Sequence, residues 1–266
     1  MNIIIHRGTH QIGGSAIEIS TASTRIILDF GNELSLDEKY TPINLDIDGV
    51  TKGILDCDGI VISHYHMDHL GQLTSALPEI PLYMGELSKE VAMIATEHQD
   101  KDLYLRLLDA NTFRGGEAFT IGNIHIRPLV IDHSAVDSYM FVIESEGKRV
   151  LYTGDFRMHG VRGHVLEKLI RTYIGDVDVL ITEGTSLSRN AHDGISEREV
   201  LDDISSYIQD GKYVFVMCSS TNIDRIMEIW HNMPTDKVLI CDAYQKRILD
   251  TVIDNVYYDS TLYRRP

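Results

Sequence analysis

Positive charge is scarce in this chain. The 24 Lys and Arg residues stand against 40 Asp and Glu, for a net charge of −16. That excludes a basic track for a polyanion over the whole surface. A local basic groove remains open, and a metal centre would bring positive charge of its own. Cysteine is nearly as scarce: Cys57, Cys218 and Cys241 lie far apart and lack CxxC spacing. They exclude a disulfide framework and read as reduced, buried thiols of a cytoplasmic protein. No apolar run reaches the roughly eighteen residues that a transmembrane helix needs. Met1 to Gly8 reads as a first strand rather than a cleavable signal. Proline numbers only 6 against 20 glycines, and 43% of residues are hydrophobic. This is ordinary globular composition, with room for one large domain or two smaller ones.

What is present changes character along the chain. The first half is strand-rich: Ile3 to Ile5, Ala16 to Ile19 and Arg25 to Leu28 are short β-type runs separated by Gly, Ser and Thr. Gly59 to Ile62 and Leu82 to Met84 are further strands, and Val91, Ile94 and Ala95 share one face of a helix over Ser88 to Glu97. Ile124 to Ile131, Ser138 to Ser145 and Lys148 to Thr153 follow as strands, the last two joined by a Glu146-Gly147-Lys148 hairpin turn. After a strand over Val177 to Thr182 the pattern alternates. Ser196 to Gln209 is a helix with a Ser196/Glu199 capping box and Gly211 just beyond its end. Tyr213 to Met217 and Val238 to Cys241 read as strands, Asn222 to His231 and Ala243 to Ile253 as helices. Such alternation implies a parallel sheet with helices packed on it. The polar segment Ser186 to Gly194 marks the join, dividing the chain into units 1–187 and 188–266.

The densest chemistry lies in Ile62-Ser63-His64-Tyr65-His66-Met67-Asp68-His69-Leu70-Gly71, directly after an apolar run. Imidazole and carboxylate are ligands that zinc or manganese accepts without thiolate. His64 and His66 are two apart and point the same way on an extended segment. Asp68 and His69 sit where the chain turns into a helix, aimed at a second point, so one loop can hold two metals. Without a metal, so many ligand groups crowded together would be costly to bury. Two strand ends supply partners: His133, after Leu129-Val130-Ile131-Asp132, and Asp155, after Leu151-Tyr152-Thr153-Gly154.

Asp29, then His-x-His-x-Asp-His at 64 to 69, then His133, then Asp155 resembles the metallo-β-lactamase superfamily. The resemblance implies an α/β fold, an αββα sandwich with a metal centre at one edge. It implies that His64, His66 and His133 bind one divalent ion, that Asp68 and His69 bind a second, and that Asp155 bridges both. Zinc is the first expectation, with manganese or iron as alternatives. Asp29 would orient the ligands of the loop, and Glu183 a metal-bound histidine. Gly8-Thr9-His10-Gln11-Ile12-Gly13-Gly14 and Asp132-His133-Ser134-Ala135-Val136-Asp137-Ser138 are similar to motifs of the β-CASP nucleases, particularly ribonuclease J. So are Gly154-Asp155-Phe156-Arg157, Ile181-Thr182-Glu183-Gly184-Thr185 and the segment from Ser219 to Ile226. The second unit would then be a partial Rossmann-like, β-CASP-like α/β segment.

One element of that family has no counterpart. The resemblance calls for a last histidine on the second metal, supplied after the β-CASP domain, and the chain reaches Pro266 without it. His159, His164, His192 and His231 are the substitutes at hand. The expectation is a C-terminally truncated member whose second site is weak or empty. The implied function is hydrolysis of RNA or single-stranded nucleic acid through a metal-activated water, with Asp68 also moving a proton. Ser219, Ser220 and Asn222, at a helix start, would offer donors to a substrate phosphate, against the more ordinary reading of a plain helix N-cap. Two alternatives stand beside this one: a small-molecule ester, thioester or phosphodiester hydrolase of the same fold, and a truncated metal-binding domain that is inactive without a further segment. No membrane association is expected, and an oligomer is left open.

Overall fold

The computed structural model describes residues 1–34, 43–185, 187 and 195–253. The expected join at Ser186 to Gly194 falls, apart from Leu187, outside them.

Six strands form the first sheet: β1 (Asn2–Arg7), β2 (Ala16–Ser20), β3 (Arg25–Leu28), β4 (Gly59–Val61), β5 (Leu82–Gly85) and β6 (Asn111–Phe113), in that spatial order. β1, β2 and β3 pair antiparallel, whereas β3 to β6 run parallel. The parallel half needs crossovers, and the helices α1 (Met67–Leu70), α2 (Glu86–Thr96) and α3 (Lys101–Leu108) lie in them. The second sheet contains β7 (Phe119–Ile121), β8 (Ile124–Ile131), β9 (Ser138–Ser145), β10 (Lys148–Tyr152) and β11 (Val179–Ile181), ordered β11-β10-β9-β8-β7. The β9–β10 hairpin closes through Glu146 and Gly147, both at positive φ (52° and 69°), as a two-residue turn of that hand requires.

Strand periodicity sorts the layers. In β3, Ile26 and Leu28 face the second sheet and meet Ile124, Phe141, Ile143 and Val150. Ile27, between them, faces the other way, into a core shared with Val91 of α2 and Leu103 of α3. The outer face of the second sheet, with Leu129, Met140 and Leu151, packs on Leu166 of α4 (Leu166–Leu169). The result is the expected αββα sandwich. Three more α-helices follow among the described residues: α5 (Glu197–Asp210), α6 (Ile223–Asn232) and α7 (Ala243–Ile253). α5 starts on the expected Ser196/Glu199 capping box. Ile223, Ile226 and Met227 of α6 and Ile248 and Val252 of α7 join the core beneath α2.

Two expected strands are not formed. Tyr213 to Met217 and Val238 to Cys241 make no ladder among the described residues. Their strand-like alternation survives nonetheless. Tyr213, Phe215 and Met217 are 78%, 97% and 100% exposed, while Val214 and Val216 between them are 39% and 42%. Composition suits both segments to a sheet, but a strand exists only when a neighbour takes its backbone hydrogen bonds. α3, β6 and β7, by contrast, are elements that the residue pattern did not announce.

Candidate metal centre

Four strands deliver the ligand-bearing residues to one edge. β3 and β4 run parallel, and β8 and β10, each antiparallel to β9, share a direction. Asp29 follows β3, Ser63 and His64 follow β4, Asp132 and His133 follow β8, and Asp155 follows β10. The two sheets are stitched at this edge by the Tyr139 N–H donating to the Ser63 carbonyl, 3.0 Å. Asp68 and His69 ride on α1, one turn of helix that swings them away from the extended His64-Tyr65-His66 segment.

His64, His66 and His133 converge. His64 Nε2 lies 3.1 Å from His66 Nδ1, and His133 Nε2 lies 3.2 Å from the same atom. A tetrahedral ion with Zn–N bonds of about 2.1 Å would want its ligand nitrogens roughly 3.4 Å apart, so the spacing fits. Burial, and then the charge of His69, hold His66 down at about 4. Burial and His66 hold His133 down at about 3, and burial pushes the fully buried His64 well below the usual imidazole range. Three imidazoles held toward the neutral form and this close together are a group that could hold a cation.

A second group lies beside the first. His64, His69 and Asp155 also bring ligand atoms within 4.8 Å of one another. His69 Nε2 is 3.3 Å from Asp155 Oδ1 and 3.7 Å from Asp68 Oδ2. Asp155 Oδ2 is 3.9 Å from His133 Nε2, so this carboxylate faces both groups. Burial raises the Asp68 pKa despite His69 nearby. For Asp155 burial works in the same sense, but the His69 hydrogen bond and charge outweigh it and lower the pKa. No further histidine joins either group among the described residues. Of the possible substitutes, His159 is exposed on the wall of a cavity that His66, Asp68, His69, His133 and Asp155 also line, and the exposed His164 turns Nδ1 to the Val161 carbonyl. His231 lies in the last turn of α6, and His192 falls outside the described residues.

Asp29 lies behind the loop. Fully buried at φ +55°, it accepts from Ser63 N (2.6 Å), Ser63 Oγ (2.8 Å) and Tyr152 Oη (2.5 Å), and faces His69 Nδ1 at 2.7 Å. Ser63 and Tyr152 are parts of the site that residue patterns did not single out. Ser63 is an inconspicuous residue before the motif, and Tyr152 looks like one more β-strand aromatic. Glu183 takes a different place from the one expected. Its Oε1 accepts from the Phe156 N–H at 2.9 Å, holding the backbone next to Asp155 rather than a histidine ring.

His66, Asp68, His69, His133 and Asp155 open onto a cavity of about 1180 Å³. Its walls include the Gly8 to Gly13 loop, Arg7, His10, Ser134, Arg157, His159 and Glu183. Ser219, Ser220 and Asn222 are not among the described residues that line it. Ser219 bonds Thr221 Oγ1, while Asn222 is buried at the start of α6 with no side-chain cap.

Comparison with known proteins agrees with this architecture. Residues 25–241 match the beta-lactamase superfamily domain. An RNase J-like protein of Methanocaldococcus jannaschii is 27% identical over 223 residues, covering 79% of this chain and 49% of the relative. Ribonuclease J 2 of Streptococcus pyogenes is 26% identical over 239 residues, covering 84% of this chain and 41% of the relative. The chain thus spans about half the length, or less, of these curated relatives. A crystal structure of a protein of unknown function from Enterococcus faecalis superposes with a TM-score of 0.80 at 18% identity, covering 97% of this chain and 68% of that one, and shows the same fold. With a match over most of its length and the αββα layers in place, the chain belongs to the beta-lactamase superfamily, in its metallo-β-lactamase fold.

Proposed function

We propose that this protein is a metal-dependent hydrolase that cleaves phosphodiester bonds in RNA or other single-stranded nucleic acid. The observation that carries the reading is one cavity lined by His66, Asp68, His69, His133 and Asp155, with the two candidate ligand groups sharing the buried His64 behind it. Arg7 and Arg157 also line it, but Glu33 and Asp132 pair with them, so in a chain of net charge −16 the pull on an anionic substrate would come from the bound ions. The ribonuclease names of its relatives point the same way.

In this reading His64, His66 and His133 would hold a first divalent ion and Asp68 and His69 a second, with Asp155 available to both. Zinc is the proposed ion, because neutral imidazoles and carboxylates are its usual oxygen and nitrogen ligands. Such ions, when bound, supply charge stabilisation at the attacked phosphate and acidify water. The chain's own residues do the rest. Asp29 holds His69 through Nδ1 and so keeps Nε2 toward the site, where an ion would replace its proton. Glu183 keeps the Asp155 loop in place. Asp68, with its pKa raised by burial, takes up or releases a proton at its carboxylate. The three free thiols suit a cytoplasmic setting. The division into units 1–187 and 188–266 belongs to the same proposal.

The test is cleavage of a 5′-labelled single-stranded RNA by purified protein supplied with zinc or manganese, with His66→Ala alongside. Metal-dependent cleavage lost in the variant supports the reading. Turnover of small esters or thioesters but not RNA would replace it with the small-molecule alternative. Metal binding without any turnover would leave a binding domain that needs a further segment.

A further inference from the structure

The residue between the two loop histidines, Tyr65, has its own connections. On the extended segment His64 and His66 turn into the site and Tyr65 turns the other way, into the core, where it is 6% exposed. Its hydroxyl makes two bonds: it accepts from Val136 N–H at 2.9 Å and donates to the Thr221 carbonyl at 2.9 Å. Val136 is three residues beyond His133, and Thr221 lies in the segment leading into α6. One oxygen therefore ties together the His64–His66 loop, the His133 loop and the entry to the C-terminal helices.

The other side of His133 is tied to the same helices. Asp132 accepts from Arg157 Nε at 2.5 Å and from the Arg162 N–H. Arg157 Nη1 reaches Glu197 Oε2 at 3.5 Å, and Glu197, buried at the start of α5, is gripped by Arg225 of α6 through both nitrogens at 2.5 and 2.9 Å. Arg162 also bonds Asp224 of α6 at 3.0 Å. His133 is thus flanked, one residue before and three residues after, by groups that answer to α5 and α6.

Building on the metal centre under the proposed function, we propose that Tyr65 is a positioning residue through which the seating of the α5–α6 unit sets the place of His133 and so the affinity of the first metal site. Breaking the bond leaves a buried N–H and a C=O without their partner, so the His133 loop and the Thr221 segment lose their common anchor. Because coupling between two places is reciprocal, metal binding would also tighten the α6 entry.

The test compares wild type, Tyr65→Phe, Glu197→Gln and Ile124→Val, the last a core change between the sheets, remote from these contacts. Each full chain is stripped of metal and titrated with Co²⁺ or Zn²⁺ against a competing chelator, well below its melting temperature. Hydrogen exchange at the Val136 amide is followed in parallel. Tyr65→Phe should weaken metal binding about 10-fold, the lower end of what outer ligand partners contribute, alter the Co²⁺ absorption spectrum and speed Val136 exchange. Glu197→Gln should weaken binding several-fold, and Ile124→Val should lower the melting temperature with affinity unchanged. The proposal is overturned if Tyr65→Phe binds metal like wild type. It is equally overturned if Ile124→Val loses as much affinity, since the effect would then be general destabilisation. A wild type that binds no ion sinks the metal reading itself, a result distinct from both.

Discussion

Asp29 Oδ2 and His69 Nδ1 lie 2.7 Å apart with neither residue more than 1% exposed. Burial alone would drive His69 toward neutrality, but the Asp29 charge and the bonds to Asp155 and Asp29 outweigh it and raise its pKa well above the ordinary value. The raised pKa favours a ring protonated on both nitrogens, with Nδ1 facing Asp29 and Nε2 facing Asp155 and Asp68, and a cation bound at Nε2 would have to displace that proton. Replacing Asp29 with Asn should keep the shape and remove the charge. We expect metal affinity at the His69 side to drop by about 10- to 100-fold, as for other outer partners of metal ligands. Competitive zinc titration measures it, and an unchanged affinity would count against Asp29 as the orienting group.

His66 Nδ1 is the atom that both His64 and His133 approach. His66→Ala should therefore empty the first site and abolish metal-dependent hydrolysis, with a lower metal content by elemental analysis. Full retained activity would sink the ligand assignment.

Gly31 passes directly against α1. A Cβ there would sit 1.7 Å from the Asp68 carbonyl oxygen and 2.5 Å from the His69 nitrogen, both backbone atoms that have no rotamer to escape through. Gly31→Ala should cost about 1–3 kcal/mol or more, the range for overpacking, and displace Asp68 and His69 from the site. Urea denaturation and metal stoichiometry report the two effects separately. A variant that kept both at wild-type levels would show that α1 can move without consequence.

The Glu197–Arg225 pair predicts a pH dependence. The hydrogen bond from Arg225 holds the Glu197 carboxyl below its ordinary value of 4.5 against the effect of burial. A depressed carboxylate contributes stability above its unfolded pKa and loses it as pH falls through the folded one. Wild type should therefore exceed Glu197→Gln in denaturation midpoint at pH 7, and the gap should narrow below about pH 4.5. A gap independent of pH would mean that shape, and not charge, is what Glu197 supplies.

Much of the centre was legible because it is local. His64, His66, Asp68 and His69 fall within six positions, and backbone geometry alone turns the first pair one way and the second another. Strand ends marked His133 and Asp155, since apolar runs stop where a sheet meets its edge. Ser63 and Tyr65 lie in the same stretch yet gave no signal. A serine and a tyrosine acquire a role only from partners far along the chain, Asp29 and Tyr152 for the one cluster, Val136 and Thr221 for the other. Tyr213 to Met217 shows the converse, a segment with every strand preference and no ladder to join.

What the sequence determined by itself is which chemistry is available: imidazole nitrogens and carboxylates at set spacings, a strand-rich first half and a βα-patterned remainder. What only the tertiary structure decided is where those donors meet. The register of two sheets, held by cores such as Ile26, Leu28, Phe141 and Val150, brings His133 within 3.2 Å of His66 and Asp155 within 3.3 Å of His69. The reason is physical: short-range spacing is set by the backbone of a few residues, whereas convergence across the chain depends on close-packed side chains that fix one sheet against the other.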